Sequence, residues 1–368
     1  MVESTRGHQR AFCYIRLLIS VAVVTVLMSA CAQKPMLPYS EETVPLVMLP
    51  ASQAGIHDGR GRFREVFCAV LEERGKTLPD YRPCEEALVR VGKEPGGTGK
   101  PVELGRSGRK LTALFVPGVG WDCFSDWMDA ADTIPEHLRS FDYDLLTIKV
   151  DGLSSTTNNA RQIRDAIMGM MPSNKEPDLV LIGYSKGAPD MLEALVYYPE
   201  IRERIAAVVS IAGAVGGTPL ANDATLSQLD LLRLWPDARC VEGDGGAMES
   251  LRPSVRKSWL AENSLPDSLS YFSLVTYPEP ERISSVLHYS YKKLSRIDAR
   301  NDSQLIFYDQ VVPSSTLLGF ANADHWALAV PIARSHPKVG SIFADQNQYP
   351  REAMFEAILR FIEEQLAM

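Results

Sequence analysis

Gly183-Tyr184-Ser185-Lys186-Gly187 follows the apolar run Leu179-Val180-Leu181-Ile182 and precedes residues 188–198, in which apolar side chains recur at helical spacing up to Pro199. The apolar run predicts a buried strand, and the periodic segment predicts a helix that ends before the proline. A sharp turn between a strand and a helix raises a serine hydroxyl clear of the sheet, and it requires small residues two positions before and two after the serine. The stretch therefore predicts a nucleophile elbow with Ser185 as the nucleophile, which indicates a serine hydrolase.

A nucleophilic serine needs a base, and behind a nucleophile elbow the histidine lies downstream in the chain. Three histidines follow the serine. His288 falls inside a predicted helix, and His336 precedes a proline in a polar stretch. His325 ends a polar loop between a predicted short strand, 317–321, and a predicted apolar helix, 326–330. We expect His325 to be the base, because the loop after a late strand is where this architecture holds it.

Two aspartates compete for the role of the acid that orients this histidine. Asp302 lies in a polar, turn-like stretch, and its longer spacing to His325 favours it. Asp309 follows the apolar run 305–307, which could be a hairpin strand, and its alternative role is to tie down that loop. Asp324, next to the histidine, is a weaker candidate because it points elsewhere on the loop. We expect Asp302 to be the acid, with Asp309 as the alternative.

Acyl transfer passes through a tetrahedral oxyanion, which two backbone N–H groups can stabilise. One belongs to the residue after the nucleophile, Lys186, and the other to a loop after an early strand. The apolar segment 111–116 predicts that strand, and Pro117-Gly118-Val119-Gly120-Trp121 follows it. Glycines on both sides of Val119 let the backbone approach a substrate oxygen. We expect the Val119 and Lys186 amides to form an oxyanion hole; the alternative is a glycine-rich turn that binds nothing.

Together these motifs resemble the α/β-hydrolases of the bacterial lipase and esterase type, over roughly residues 111–368. The resemblance implies an α/β fold with a mostly parallel central sheet, helices on both faces and a lid insertion. Asn301-Asp302-Ser303 is similar to the Asn-Asp-Gly loop of bacterial lipases, and Tyr308-Asp309-Gln310-Val311-Val312-Pro313 resembles the Asp-x-Val-Pro of many hydrolases. Lipases commonly carry Pro-His-x-Gly-Ser/Thr after the sixth strand, whereas residues 212–221 contain no histidine. This departure weakens a claim to triacylglycerol chemistry and leaves the hydrolase prediction intact.

The resemblance implies a serine hydrolase that cleaves a carboxylic ester, from a lipid or a small acyl compound, through an acyl-enzyme on Ser185. Such chemistry requires no metal and no cofactor, and the sequence has no Cys/His cluster with zinc spacing. Two alternatives use the same fold. One is an acyltransferase with the same three residues, and the other is a binding lipoprotein without activity.

The N-terminus predicts the compartment. Three arginines in the first 16 residues precede an apolar stretch, 17–28, which is too short to span a bilayer comfortably and is typical of a secretory signal. Its end, Leu27-Met28-Ser29-Ala30-Cys31, resembles a bacterial lipobox. We therefore expect residues 1–30 to be a lipoprotein signal peptide and Cys31 to carry the lipid, which anchors the protein to a membrane of the bacterial cell envelope, facing the periplasm. Ala32 is not the aspartate that retains such proteins at the inner membrane in some bacteria, which favours the outer membrane. The alternative is that residues 17–28 form a short transmembrane anchor.

Cys68, Cys84, Cys123 and Cys240 remain once Cys13 is removed with the signal peptide and Cys31 is assigned to the lipid. An even number in an oxidising compartment favours two disulfides over four buried thiols. Of the three possible pairings we favour Cys68–Cys84, whose members are close in sequence, with Cys123–Cys240.

Composition and punctuation predict the remaining organisation. The formal net charge of −8 and the lack of a basic stripe argue against nucleic acid as a partner. We expect a tether at 31–55, an N-terminal extension at 56–110 with helices at 63–71 and 85–91, and the hydrolase domain at 111–368. A lid at 221–269 would offer apolar side chains to an acyl group, although core packing is their commoner use. The sequence leaves the oligomeric state open.

Overall fold

The computed structural model of the protein describes residues 55–124, 132–170, 178–223, 239–241 and 243–367. The predicted signal peptide, the predicted lipidation site Cys31 and nearly all of the predicted tether lie outside the described residues, as do residues 224–238 of the predicted lid. Over the described ranges, no helix combines the length and the apolar character needed to cross a membrane.

An eight-stranded sheet forms the centre of the fold. Its strands are β1 (His57–Asp58), β2 (Leu88–Val89), β3 (Thr112–Val116), β4 (Asp144–Thr147), β5 (Leu179–Tyr184), β6 (Ile205–Ile211), β7 (Tyr271–Thr276) and β8 (Thr316–Ala321). Their order across the sheet is β1-β8-β7-β6-β5-β3-β4, and β2 pairs with β8 off this path. Only the pairing of β2 with β8 is antiparallel among the described strands. The predicted mostly parallel sheet is confirmed, and β5, which leads into Ser185, lies near its centre.

Helices connect the strands. They are α1 (Arg60–Arg74), α2 (Cys84–Ala87), α3 (Ile134–Arg139), α4 (Thr156–Gly169), α5 (Gly187–Tyr197), α6 (Leu220–Asp223), α7 (Ala247–Ser250), α8 (Pro253–Glu262), α9 (His288–Leu294), α10 (Ile332–Ser335), α11 (Pro337–Ile342) and α12 (Arg351–Leu366). The helix predicted at 188–198 begins and ends one residue earlier than expected.

Two large apolar clusters cover the two faces of the sheet. On one face α1 and α12 pack against the strands, and Phe361 meets Phe63 and Phe272 edge-on at ring distances of 5.9 and 6.0 Å. On the other face Ile163 of α4, Leu192 of α5 and side chains of β5 and β6 form the second cluster. The central strands are therefore buried on both sides, as their continuous apolar sequences predict.

Residues 56–110 belong to this sheet and core. β1 runs parallel to β8, α1 packs on α12, and the disulfide Cys68–Cys84 joins α1 to α2. The prediction of a helix at 85–91 is wrong beyond Ala87. Leu88 instead pairs with Ala321 at the edge of β8 and is buried, because the edge strand offers its free backbone groups to this segment.

The segment after His325 also differs from its prediction. Residues 325–329 form turns where a helix was expected over 326–330. Asp324 accepts the Ala327 N–H at 3.0 Å, and Arg351 donates to the Ala327 carbonyl at 2.6 Å, so side chains satisfy the groups that a helix would have paired internally. The apolar run 305–307 forms a single antiparallel bridge between Ile306 and Asn301 before a 3-10 turn, and no hairpin.

The described part of the predicted lid packs on the body of the protein. Trp259 of α8 is buried in the second cluster, and its Nε1–H donates to the Tyr197 hydroxyl at 2.6 Å. Arg256 of α8 is fully buried and pairs with Glu193 of α5 at 2.7 Å. Core packing therefore accounts for Trp259 and Leu260 of α8. The leucines predicted to line a lid between residues 226 and 234, and Trp235, lie outside the described residues.

Candidate active site

The nucleophile elbow has the backbone geometry that its glycines allow. Ser185 lies between β5 and α5 with a positive φ of 54°, which side-chain-bearing residues rarely adopt. A Cβ on Gly183 would lie 2.6 Å from the Cα of Ala188, and one on Gly187 would lie 2.0 Å from the Val116 carbonyl oxygen. Only glycine fits at both positions. The Ser185 carbonyl accepts from Ala214 at 2.9 Å, which ties the strained turn to the loop after β6.

His325 stands against the serine from the loop that follows β8. Its Nε2 lies 2.8 Å from Ser185 Oγ, and its Nδ1 lies 2.8 Å from Asp302 Oδ2. The His325 backbone N–H donates to the Asp302 carbonyl at 3.0 Å, and the His325 carbonyl accepts from the Tyr184 hydroxyl at 2.8 Å. The Tyr184 ring also stacks beneath the imidazole at 5.2 Å. The histidine is thus held from its ring and from its backbone.

Asp302 is fully buried and surrounded by donors. Its Oδ1 accepts the backbone N–H groups of Gln304 at 2.9 Å and Leu305 at 2.7 Å. Its Oδ2, the oxygen that faces the histidine, also accepts from Thr276 Oγ1 and, at 3.4 Å, from Gln310 Nε2. Donors on both oxygens hold the carboxylate in one orientation, with Oδ2 toward the imidazole.

The other two aspartates lie in different surroundings. Asp309 pairs with Lys257 at 3.6 Å, and its backbone carbonyl accepts from Gly216 at 2.8 Å. Burial raises the pKa of the Asp309 carboxyl to about 7, against the opposing influence of the Lys257 ammonium. Asp324 is buried and accepts from the backbone N–H groups of Ser284 and Ala327, each within 3.0 Å, so it shapes the histidine loop. Of the three candidates, the structure brings Asp302 to the imidazole.

Two backbone amides border the serine. Gly118 lies so close that a Cβ there would stand 2.8 Å from Ser185 Cβ, which places the loop after β3 beside Ser185. Val119 follows in that loop, and Lys186 follows the serine itself. Neither the Val119 nor the Lys186 N–H meets a backbone or side-chain acceptor in the part of the chain that the structure describes. The two N–H groups are therefore available to an external oxygen.

The loop after β3 is fastened on its far side. The disulfide Cys123–Cys240 links it to residues 239–241, as the favoured pairing has it. Asp122 accepts from Val241 N–H at 2.8 Å with one oxygen and from Gly152 N–H at 3.1 Å with the other. The carbonyl of Cys123 accepts from Arg239 N–H at 3.0 Å. A covalent bond and three hydrogen bonds thus hold the loop that carries Val119.

Several residues of the site were missed from the sequence. Thr276 and Gln310 complete the shell of Asp302, and Tyr184 supports the histidine. Thr276 ends β7 at the sheet edge where the site lies, and Gln310 adjoins the alternative aspartate, so position offered a weak signal for both. Asp190, which pairs with the Lys186 side chain, and Asn159, which donates to Asp190, belong to no sequence motif.

The arrangement can activate the serine. With Nδ1–H donated to Asp302, the histidine has the tautomer whose Nε2 accepts the Ser185 proton. The serine oxygen can then attack an electrophilic carbonyl carbon, and the Val119 and Lys186 amides near Ser185 meet no acceptor among the described residues. Among the described residues, no group of His, Cys, Asp and Glu side chains is arranged to hold a metal ion.

Solved structures share this architecture. The crystal structure of the metagenomic carboxyl esterase MGS0156 matches with a TM-score of 0.81 and 36% sequence identity, over 90% of this chain and 100% of that one. The mature lipase BlEst2 of Bacillus licheniformis matches with a TM-score of 0.50 and 20% identity, over 68% of this chain and 96% of that one, a likeness of fold. No protein-family model matches the chain, and no curated protein matches it.

Proposed function

Because the chain belongs to the carboxyl esterase family of the α/β-hydrolase fold that MGS0156 represents, we propose that it hydrolyses carboxylic esters with Ser185 as nucleophile, His325 as general base and Asp302 as the acid that orients the imidazole. One observation carries the assignment: the imidazole contacts Ser185 Oγ and Asp302 Oδ2 at 2.8 Å each. These are the distances that general-base catalysis requires.

The proposed reaction begins with proton transfer from Ser185 Oγ to His325 Nε2 as the oxygen attacks the ester carbonyl carbon. The carbonyl π electrons move to the oxygen, which becomes the oxyanion of a tetrahedral intermediate. Collapse of the intermediate breaks the ester C–O bond, and the leaving alcohol takes the proton from His325. A water molecule then repeats the sequence on the acyl-enzyme, which releases the carboxylic acid and restores the serine.

The Val119 and Lys186 amides are the proposed oxyanion hole. Their freedom from other acceptors among the described residues and the closeness of Gly118 to the nucleophile support this role. The two donors come from different loops, so the hole exists only when both loops keep their places. We propose a lipid ester or a small acyl ester as the substrate class.

We also propose that the enzyme is a lipoprotein of the bacterial cell envelope, attached through Cys31 and facing the periplasm. The lipobox-like end of the N-terminal apolar stretch supports the anchor. The two disulfides, Cys68–Cys84 and Cys123–Cys240, support an oxidising compartment, because they persist outside the reducing cytosol. Metabolic labelling with an alkynyl fatty acid tests this, and Cys31→Ser is expected to abolish the label.

Labelling with a fluorescent fluorophosphonate tests the catalytic assignment. We expect the full-length protein to be labelled at Ser185, to hydrolyse p-nitrophenyl esters, and to lose both properties in Ser185→Ala. Ser341→Ala, which changes an exposed serine on α11, is the matched control and is expected to keep both. Labelling at another serine, or a folded wild-type protein that neither reacts nor hydrolyses, would overturn the proposed function.

A further inference from the structure

Lys186 has two parts that face different ways. Its backbone N–H borders the serine, while its side chain runs along α5 to Asp190, with Nζ 2.7 and 2.9 Å from the two carboxylate oxygens. Both side chains are buried, at 1% and 0% exposure. An ion pair four residues apart fixes the first turn of the helix. The position of the Lys186 amide is thereby tied to Asp190.

Asp190 is in turn connected, through Asn159, to the loop between β4 and α4. Asn159 of α4 donates from Nδ2 to Asp190 Oδ2 at 2.8 Å and to the backbone carbonyl of Asp151 at 3.1 Å. Asp151 belongs to the segment between β4 and α4. A continuous buried path of polar contacts therefore leads from the Lys186 side chain to this segment.

The same segment holds the loop that carries the other amide. Gly152, the residue after Asp151, accepts from Gly120 N–H at 3.2 Å and donates to Asp122 Oδ1 at 3.1 Å. A Cβ on Gly152 would lie 2.6 Å from Gly120 N, so the two backbones are in direct contact. Gly120 follows Val119 immediately. The loops that carry the Lys186 and Val119 amides are thus both connected to Asp151-Gly152, the first through Asp151 and the second through Gly152.

We propose that the Lys186 side chain, Asp190 and Asn159 are positioning residues that, through Asp151-Gly152, set the separation between the Lys186 and Val119 amides. The inference rests on the proposed function, since it concerns the oxyanion of that reaction. Each amide must lie within about 3 Å of the oxyanion, and a displacement of about 1 Å lowers the rate about a hundredfold. Because Asp151-Gly152 contacts the supports of both amides, it can keep their separation constant to within such a distance.

Stability alone is a poor reason for this ion pair. Burial of two charges costs desolvation that their attraction barely repays, so an apolar pair would serve packing as well or better. The Lys186–Asp190 pair also lies at the beginning of α5, next to Ser185, and not in the middle of the helix. One helical turn further on, Glu193 forms a second buried ion pair, with Arg256 at 2.7 Å, which faces α8. That pair contacts neither amide and supplies a matched control.

The experiment compares Asp190→Asn with Glu193→Gln in the full-length protein. Both substitutions remove a buried carboxylate charge from the same helix and keep the shape. The readouts are kcat and KM for a p-nitrophenyl ester, the inhibition constant of a phenylboronic acid and the unfolding midpoint. The boronic acid accepts the serine oxygen and becomes a tetrahedral adduct, so its affinity reports the oxyanion hole.

We expect Asp190→Asn to lower kcat and to weaken boronic acid inhibition by a similar factor, about tenfold to a hundredfold, with KM within about twofold. Glu193→Gln should lower the unfolding midpoint and leave kcat unchanged. Equal effects of the two variants on kcat, or unchanged boronic acid affinity in Asp190→Asn, would overturn the inference.

Asn159→Ala is the second variant, in case Asp190→Asn does not fold. It removes the link to Asp151 and leaves the ion pair in place, and the same loss of kcat and of boronic acid affinity is expected. An unchanged kcat in Asn159→Ala would also overturn the inference. Failure of the proposed function gives a different result, because the wild-type protein would then neither hydrolyse the ester nor bind the boronic acid.

Discussion

Thr276 Oγ1 donates a hydrogen bond to Asp302 Oδ2, the same carboxylate oxygen that faces the imidazole. Thr276 itself is fixed by Gln310, whose Oε1 accepts from the threonine N–H at 2.7 Å and whose Nε2 donates to the threonine carbonyl at 3.3 Å. The last residue of β7 and the turn before β8 therefore hold the acid jointly. The orientation of the Asp302 carboxylate depends on these two residues.

We predict that Thr276→Val lowers kcat/KM for ester hydrolysis about tenfold, because a hydrogen bond to a buried carboxylate is lost while the shape is kept. Thr276→Ser retains a hydroxyl and should stay within about threefold of wild type. Steady-state kinetics of the two variants check this, and equal losses in both would contradict a role for the hydroxyl.

The two candidate acids should differ sharply in kinetics. Asp302→Asn is expected to lower kcat by about a thousandfold or more, because an amide facing Nδ1 no longer favours the productive tautomer and cannot stabilise the imidazolium. Asp309→Asn should leave kcat within a few-fold, since Asp309 pairs with Lys257. Rates measured with one ester for both variants decide the matter, and a larger loss in Asp309→Asn would reverse the assignment.

Asp309 should instead affect the pH dependence of stability. Its pKa, raised from 3.8 to about 7, means that the folded protein keeps a proton that the unfolded chain has lost. The free energy of unfolding therefore falls as pH rises from about 4 to about 7. Asp309→Asn should remove this fall, so that its stability relative to wild type increases by a few kcal/mol over that interval. Urea unfolding at pH 4, 6 and 8 measures it; parallel curves would count against the raised pKa.

The two disulfides should have separable effects. The bridge Cys123–Cys240 closes a longer loop than Cys68–Cys84, with sequence separations of 117 and 16, so its loss should cost up to about 5 kcal/mol against about 3 kcal/mol. Only the longer one fastens the loop of Val119. Cys123→Ala/Cys240→Ala is expected to lower kcat about tenfold or more. Cys68→Ala/Cys84→Ala should lower only the unfolding temperature, and a matching loss of kcat there would contradict the separation.

Ser303 occupies a backbone conformation that suits glycine. Its φ is +81°, and its buried hydroxyl has no hydrogen-bond partner in the described part of the protein. Ser303→Gly should therefore raise the free energy of unfolding by about 1 kcal/mol. Ser303→Ala removes the hydroxyl and keeps the strain, so it should gain less. Thermal unfolding of the two variants separates strain from the unpaired hydroxyl, and a loss of stability in the glycine variant would show that the backbone is unstrained.

Local patterns were enough for much of the fold. The strands predicted at 179–182, 111–116 and 317–321 are β5, β3 and β8, with ends that differ by at most two residues, because each is a mostly apolar run. Separate local patterns predict Ser185 and His325, and in the structure Ser185 Oγ lies 2.8 Å from His325 Nε2. Local patterns do not decide which of Asp302 and Asp309 faces the histidine, because both lie on loops before β8. Only the folded chain distinguishes them, since it brings Thr276 and Gln310 to Asp302.

Other features had no local signal. β1 and β2 have two residues each, too few for a periodicity, and they form only because the edge of β8 that β7 does not occupy offers partners to both. Residues 326–330 are apolar enough for a helix, but the side chains of Asp324 and Arg351 take over the backbone hydrogen bonds. Asn159 and Asp190 meet only after α4 and α5 pack. Tertiary partners decided all of these.

Pairing of the chain's first described strand with its last has a consequence for biogenesis. A growing polypeptide has no partner for β1 or β2 until residues 316–321 have left the ribosome or the export channel. β1 and β2 therefore join the sheet only after β8 is available. His325 follows β8 closely and arrives in the same late step. An incomplete chain thus carries Ser185 without His325, the residues that we propose as nucleophile and base, and we expect it to hydrolyse no ester.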